Sequence, residues 1–251
     1  MRHHDHKSGF TLIELLVSIG IIALLIAIAI PAFAQVRRSS KRAVALSSSR
    51  QIMQMLANYT QANRDTHPYI VSGQLDGLDQ FADEPLGPNQ GLFPGIQANF
   101  WANLLVDQNP GLVDLIYPNI AFWPDMRERR QEEGIWRGAI IATNTIFAAP
   151  QYFSDTEPVQ ENQLRATRTH EIRFPSAKMI FYDWSSAWLS SQRLIESDPD
   201  GLEIPQIYSF ADGSAASIKG KDFNAPFVER GFTTRDGTGF TTVDGLAGRD
   251  R

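Results

Sequence analysis

From Leu15 to Val36 the chain runs through 22 residues without a formal charge, LLVSIGIIALLIAIAIPAFAQV. As a helix such a run covers roughly 33 Å, against about 30 Å for the hydrocarbon core of a bilayer. The segment is therefore sized to span a membrane. A signal peptide is one reading, helped by Ala32-Phe33-Ala34, which fits the A-x-A form of a cleavage site; a simple anchor is another. Against both, the run exceeds the usual signal core of about 7–15 residues. Arg37, Arg38, Lys41 and Arg42 also follow at once, where they would hinder translocation. The most telling residue is Glu14, a carboxylate between Ile13 and Leu15 at the mouth of the apolar run. A charge in a membrane costs a few kcal/mol or more, so it implies a specific partner.

Lys7-Ser8-Gly9-Phe10-Thr11-Leu12-Ile13-Glu14-Leu15 resembles the processing signal of type IV pilins and type II secretion pseudopilins. The resemblance implies that a prepilin peptidase cuts between Gly9 and Phe10, then methylates the new amine on Phe10. Glu14 becomes the fifth residue of the mature chain. Without a side chain, Gly9 lets an extended backbone enter a protease site closely. By the same resemblance, Glu14 pairs with the Phe10 amine of a neighbouring subunit. Such pairing offsets the desolvation of both charges and sets the axial register of one helix against the next. Pro31 stands where the family often carries a helix-kinking proline. It lacks an N–H and clashes with the carbonyl of Ala27, at about 3 kcal/mol in a soluble helix. In a membrane it gives a kink, a stretch able to melt, or a harmless bend. Charge counting runs the other way: Arg2 and Lys7 precede the span and four basic residues follow it, which favours the opposite topology. The motif leads us to expect a single-pass protein of the inner (cytoplasmic) membrane, with its head on the periplasmic side.

The helix is expected to continue, because Ser39 to Asn63 contains neither proline nor glycine and is rich in Ala, Gln, Arg and Met. Ile52, Leu56 and Tyr59 recur at helical spacing, one apolar stripe suited to packing under a head. The expected organisation is a leader over 1–9, a helix over 10–63 with its membrane part at about 15–36, and a globular head over 64–251. Thr66 to Gly95 reads as loop. Phe100–Leu115 and Pro124–Glu133 read as short helices, the second a salt-bridged, solvated face with Arg127, Arg129 and Arg130 among Glu128, Glu132 and Glu133. Ala139–Ala142 and Lys178–Tyr182 read as strands. Ile207–Ala211, Asp212-Gly213 and Ser214–Ile218 read as a hairpin, since Asp-Gly favours tight antiparallel turns. The fold expected is α+β: a long N-terminal transmembrane helix packed on a small antiparallel sheet, as in pilins. Phe174–Phe181 and Ser209–Ser214 also resemble segments of the large prepilin-like families of planctomycete-type bacteria. Their members often carry a histidine shortly before Asp-Gly; here the nearest upstream one is the distant His170.

Beyond Ala43 the chain holds 17 Lys+Arg against 26 Asp+Glu, a net of about -9. So acidic a head is a poor partner for nucleic acid, which is gripped by Lys and Arg. No cysteine is present, which removes disulfides, thiolate catalysis and cysteine-ligated zinc together. His67 and His170 are isolated, with no metal-ligand spacing and no nucleophile motif. Asp183, beside Trp184, reads as a strand-end carboxylate before it reads as an acid catalyst. Asp198, Asp200 and Glu203 cluster in one turn, where calcium could gather oxygen ligands, although Gly201 comes too soon for an EF-hand. A solvated turn is the first explanation of them; Asp236 and Asp244 are further candidates. Apart from calcium no cofactor is implied. The expected role is a non-enzymatic structural subunit of a type II secretion-like pseudopilus or type IV pilus-like filament. Its partners would be the peptidase, other pilin-like subunits, the assembly platform and the membrane. The rivals are a minor pilin-like binding module gripping a surface through aromatics around Phe93 to Trp101, and a membrane-tethered enzyme in which carboxylates and His170 meet in a cleft.

Overall fold

The computed structural model describes residues 11–71, 97–98, 100–106, 109–116, 140–154, 163–183, 205–223, 242 and 244–250. Two compact units divide the chain, Met1–Arg42 and Ala43–Arg251. One helix, α1 (Leu12–Ala62), runs from the first into the second and is helical on both sides of Pro31.

In the first unit α1 is a bare apolar rod. Its leucines, isoleucines and valines from Leu12 to Val36 are all exposed, and its most apolar window has a mean hydropathy of 2.9 with none of it buried. The helix is long and apolar enough to cross a membrane.

In the second unit the same helix turns amphipathic. Ala45, Ser48, Ser49, Ile52, Met53, Leu56 and Thr60 are buried, recurring every three or four residues along one face. Tyr59 is half-buried against the same core. The stripe read from Ile52, Leu56 and Tyr59 is thus the packing face. The helix ends in a left-handed cap: Arg64 and Asp65 have φ of 57° and 60°, and the Asp65 N–H donates back to the Thr60 carbonyl at 2.8 Å.

The packing face meets a four-stranded antiparallel sheet in the order β1 (Ile140–Ala142), β2 (Met179–Asp183), β3 (Gln206–Phe210), β4 (Ala215–Ile218). Every residue of β2 is buried, because both faces of that strand are covered. Ile180 shares a core cluster with Met53 and Leu56 of α1, while its neighbour Phe181 packs on Trp101, ring centroids 4.3 Å apart and planes tilted by 36°. The fold is α+β and pilin-like, as expected.

Two details differ from the expected pattern. The hairpin loop has three residues, not two. Ser209 pairs with Ala215, Phe210 N–H bonds to Ser214 carbonyl at 2.8 Å, and Ala211-Asp212-Gly213 makes the turn. Gly213 at φ 83° supplies the left-handed residue such a loop needs, and the Asp212 carboxylate accepts the Ser214 N–H at 2.9 Å. The helix expected over Phe100–Leu115 is broken into α2 (Asn103–Val106) and α3 (Leu112–Ile116). Pro110 explains the break, since it cannot donate and disfavours helix in the residue before it. The helix expected over Pro124–Glu133 and most of the loop expected over Thr66–Gly95 lie outside the described residues.

Candidate functional site

Thr11 and Glu14 form a reciprocal cap at the start of α1. The Thr11 hydroxyl accepts the Glu14 N–H at 3.3 Å, and the Glu14 carboxylate accepts the Thr11 N–H at 2.8 Å and the Thr11 hydroxyl at 2.7 Å. This is the capping box of a T-x-x-E sequence, and it satisfies two of the amides that a helix leaves unpaired at its start. The carboxylate also lies at the positive end of the helix dipole. One turn on, the Ser18 hydroxyl donates to the Glu14 carbonyl at 2.7 Å, so this polar residue spends its donor inside the apolar run. Thr11 was not singled out from sequence, although T-x-x-E before an apolar run was there to be read. Gly9 and Phe10 lie outside the described residues, as do Asp198, Asp200 and Glu203.

Residues 5–30 match the family described as Prokaryotic N-terminal methylation motif. The chain therefore carries the prepilin signal of the type IV pilin and pseudopilin superfamily. The match covers Gly9, Phe10, Thr11 and Glu14 together with the apolar run as far as Ile30. No curated protein and no solved structure matches the chain. The motif implies processing by prepilin peptidase, and the apolar helix that follows it is suited to anchor the chain in a membrane.

The head of this prepilin-type chain sorts its candidate residues clearly. Trp101 is 1% exposed and donates its indole N–H to the Ile140 carbonyl at 3.1 Å; Phe100 is buried too. Both are core residues, which removes them from any gripping surface. Phe93 and Trp184 are outside the described residues. Asp183 is buried at the end of β2, opposite Ile140. His170 is exposed in a short 3-10 turn, Thr169–Glu171. Among the described residues no group of three His, Asp or Glu side chains converges.

His67 is different. It is buried, and its Nδ1 lies 3.0 Å from the Thr167 hydroxyl, which itself donates to the Ile146 carbonyl. The hydroxyl has one proton to give, and it goes to Ile146, so the His67 Nδ1 is the donor in this contact. Burial pushes its pKa down to about 4, against smaller raising effects of Thr167 and Glu171. His67 also lines a cavity of about 380 Å³ with Arg50, Gln54 and Thr60 of α1 and the Asp212-Gly213 turn.

The second unexpected group is an ion pair in the core. Lys178 and Asp250 are 0% and 1% exposed, with Nζ and Oδ1 3.3 Å apart. Lys178 Nζ also donates to the Thr242 hydroxyl at 2.7 Å, that hydroxyl donates to Asp250, and Asp250 accepts the Met179 N–H at 2.6 Å. Burial drives the Asp250 carboxyl up and the Lys178 ammonium down, and their mutual contact opposes both. The network ties Thr242 and Asp250 to the start of β2. Arg249 adds to the tie by stacking over Phe174 at 4.1 Å. Residue type alone places a lysine and an aspartate on the surface. Only the unbroken apolar run after Lys178 hinted otherwise.

Proposed function

We propose that this chain is a structural subunit of a type II secretion-like pseudopilus or a type IV pilus-like filament. In this reading the leader ends at Gly9, the mature chain begins at Phe10, and the apolar helix polymerises while the acidic head faces outward. The protein waits in the inner membrane as a single-pass precursor with its head on the periplasmic side. The observation that carries the reading is the methylation motif over residues 5–30, with Glu14 set immediately before the apolar run. The bare apolar surface of α1 supports it, because a rod exposed from Leu12 to Val36 needs lipid or neighbouring helices around it.

The burial of Phe100 and Trp101 weighs against the surface-binding module, whose grip relied on those rings. An exposed His170 that meets no carboxylate cluster among the described residues weighs against the tethered enzyme.

The deciding experiment is intact mass and N-terminal sequencing of membrane-fraction protein, from cells with and without a prepilin peptidase. The expected product is a chain starting at N-methylated Phe10, formed only when the peptidase is present. A chain starting at Met1 or Gln35 in both strains would overturn the proposal.

A further inference from the structure

We propose that Arg37, Arg38, Lys41 and Arg42 form a collar that binds the anionic headgroups of the leaflet in which the membrane span ends. The inference rests on reading Leu15–Val36 as the span, and goes beyond it by assigning the residues that follow. Four of the six residues after Val36 are cations, and all four are exposed. Six helical residues rise about 9 Å, close to the headgroup layer of roughly 5–8 Å on each side of the hydrocarbon core. At about 100° per residue the four side chains fall within an arc of roughly 140°. They therefore present one cationic face, with Ser39, Ser40 and Ala43 on the other side of the helix.

Nothing on the helix neutralises them. After Glu14, α1 holds no Asp or Glu through to Ala62, so the carboxylates three or four residues away that would normally accompany such cations are missing. None of the four makes an ion pair among the described residues. Each Lys or Arg near an anionic membrane surface gains about 1 kcal/mol. The acidic head of a second copy is a competing partner. Lipid is favoured because the helix that spans the bilayer fixes these cations at the headgroups, whereas a neighbour's head must be brought to them.

The test uses the full chain, reconstituted into phosphatidylcholine vesicles that contain a minority of phosphatidylglycerol. Electron spin resonance with spin-labelled lipids reads which lipid the protein immobilises. The expected result is a preference of about fivefold or more for phosphatidylglycerol at low salt, corresponding to one or two cation–headgroup contacts, and falling as salt is raised. The combined variant Arg37→Gln, Arg38→Gln, Lys41→Gln, Arg42→Gln should integrate equally well but lose the preference. An all-lysine version of the collar should keep it. An integrated wild-type chain that immobilises both lipids equally overturns the proposal, as does a preference that survives in the glutamine variant. Loss of chain–chain crosslinking by that variant in pure phosphatidylcholine, with no lipid preference in either protein, assigns the collar to a second copy instead. Failure of the wild-type chain to resist carbonate extraction from any vesicle brings down the membrane reading itself, a separate outcome.

Discussion

At His67 a hydroxyl and burial divide the control of one side chain. Thr167 gives its proton to Ile146, so it accepts from the imidazole Nδ1, while burial favours the neutral ring. A histidine whose folded pKa lies near 4, below the unfolded value near 6.5, stabilises the head fully above pH 6.5. That stability drains away as the pH falls from 6.5 towards 4, by up to roughly 3 kcal/mol if the unfolded ring titrates freely. Urea midpoints measured across this window should fall more steeply for the wild type than for His67→Gln. Parallel curves would show that the ring does not titrate differently in the folded head. Gly245 makes a second residue-scale case. It sits at φ 51°, and a Cβ there would lie 2.7 Å from Phe153 Cδ2 and 3.2 Å from Pro150 Cα. Gly245→Ala therefore meets both left-handed strain and a clash, and should cost about 2–4 kcal/mol. Gly213→Ala, at φ 83° with open space around it, should cost only the backbone strain of about 1–2 kcal/mol. Equal thermal midpoints for the two variants would remove Phe153 and Pro150 from the account.

Between elements, the tie that matters is the one joining the segment around Asp250 to β2. Lys178→Met leaves the Asp250 carboxylate buried without its counter-charge, a change that costs about 3–5 kcal/mol. Adding Asp250→Asn should recover most of the loss, because the amide oxygen can still accept the Met179 N–H while no charge remains. Denaturant midpoints of the two variants test this; a single variant as stable as the wild type would show that the pair contributes nothing. The same elements show why part of the fold was legible in the sequence. The stripe of α1, the strand before Asp183 and the hairpin at Asp212-Gly213 rest on local periodicity and turn chemistry, which a linear sequence displays. The Lys178–Asp250 pair joins positions 72 apart, and residue type argues against burying either. The break between α2 and α3 was a local signal passed over, since Pro110 was there to be weighed. At the candidate site, Glu14 stood out as a charge beside an apolar run, while Thr11 needed the capping geometry to show its part.

For the whole molecule the open matter is what Glu14 does once subunits meet. In the single chain its carboxylate is occupied by the amide and hydroxyl of Thr11. In the proposed filament it would meet the Phe10 amine of a neighbour, which would give the carboxylate a second role beside the one at the helix start. The two roles separate by mutation. Thr11→Ala removes the cap hydroxyl, at about 1 kcal/mol for a helix in water, but leaves the carboxylate and its charge. Glu14→Ala removes cap and charge together. If charge pairing drives assembly, peptidase cleavage should proceed in both variants, while filaments form with Thr11→Ala and fail with Glu14→Ala. Glu14→Gln sharpens the comparison, because an amide can still accept the Thr11 N–H yet offers the neighbouring amine no charge. It should therefore fail as Glu14→Ala does. Filament yield in sheared fractions, read beside intact mass to confirm processing, measures all three. Normal filaments from Glu14→Gln would mean that the cap, rather than the charge, is what assembly requires. The register between subunits would then have to come from the packing of the apolar helices alone.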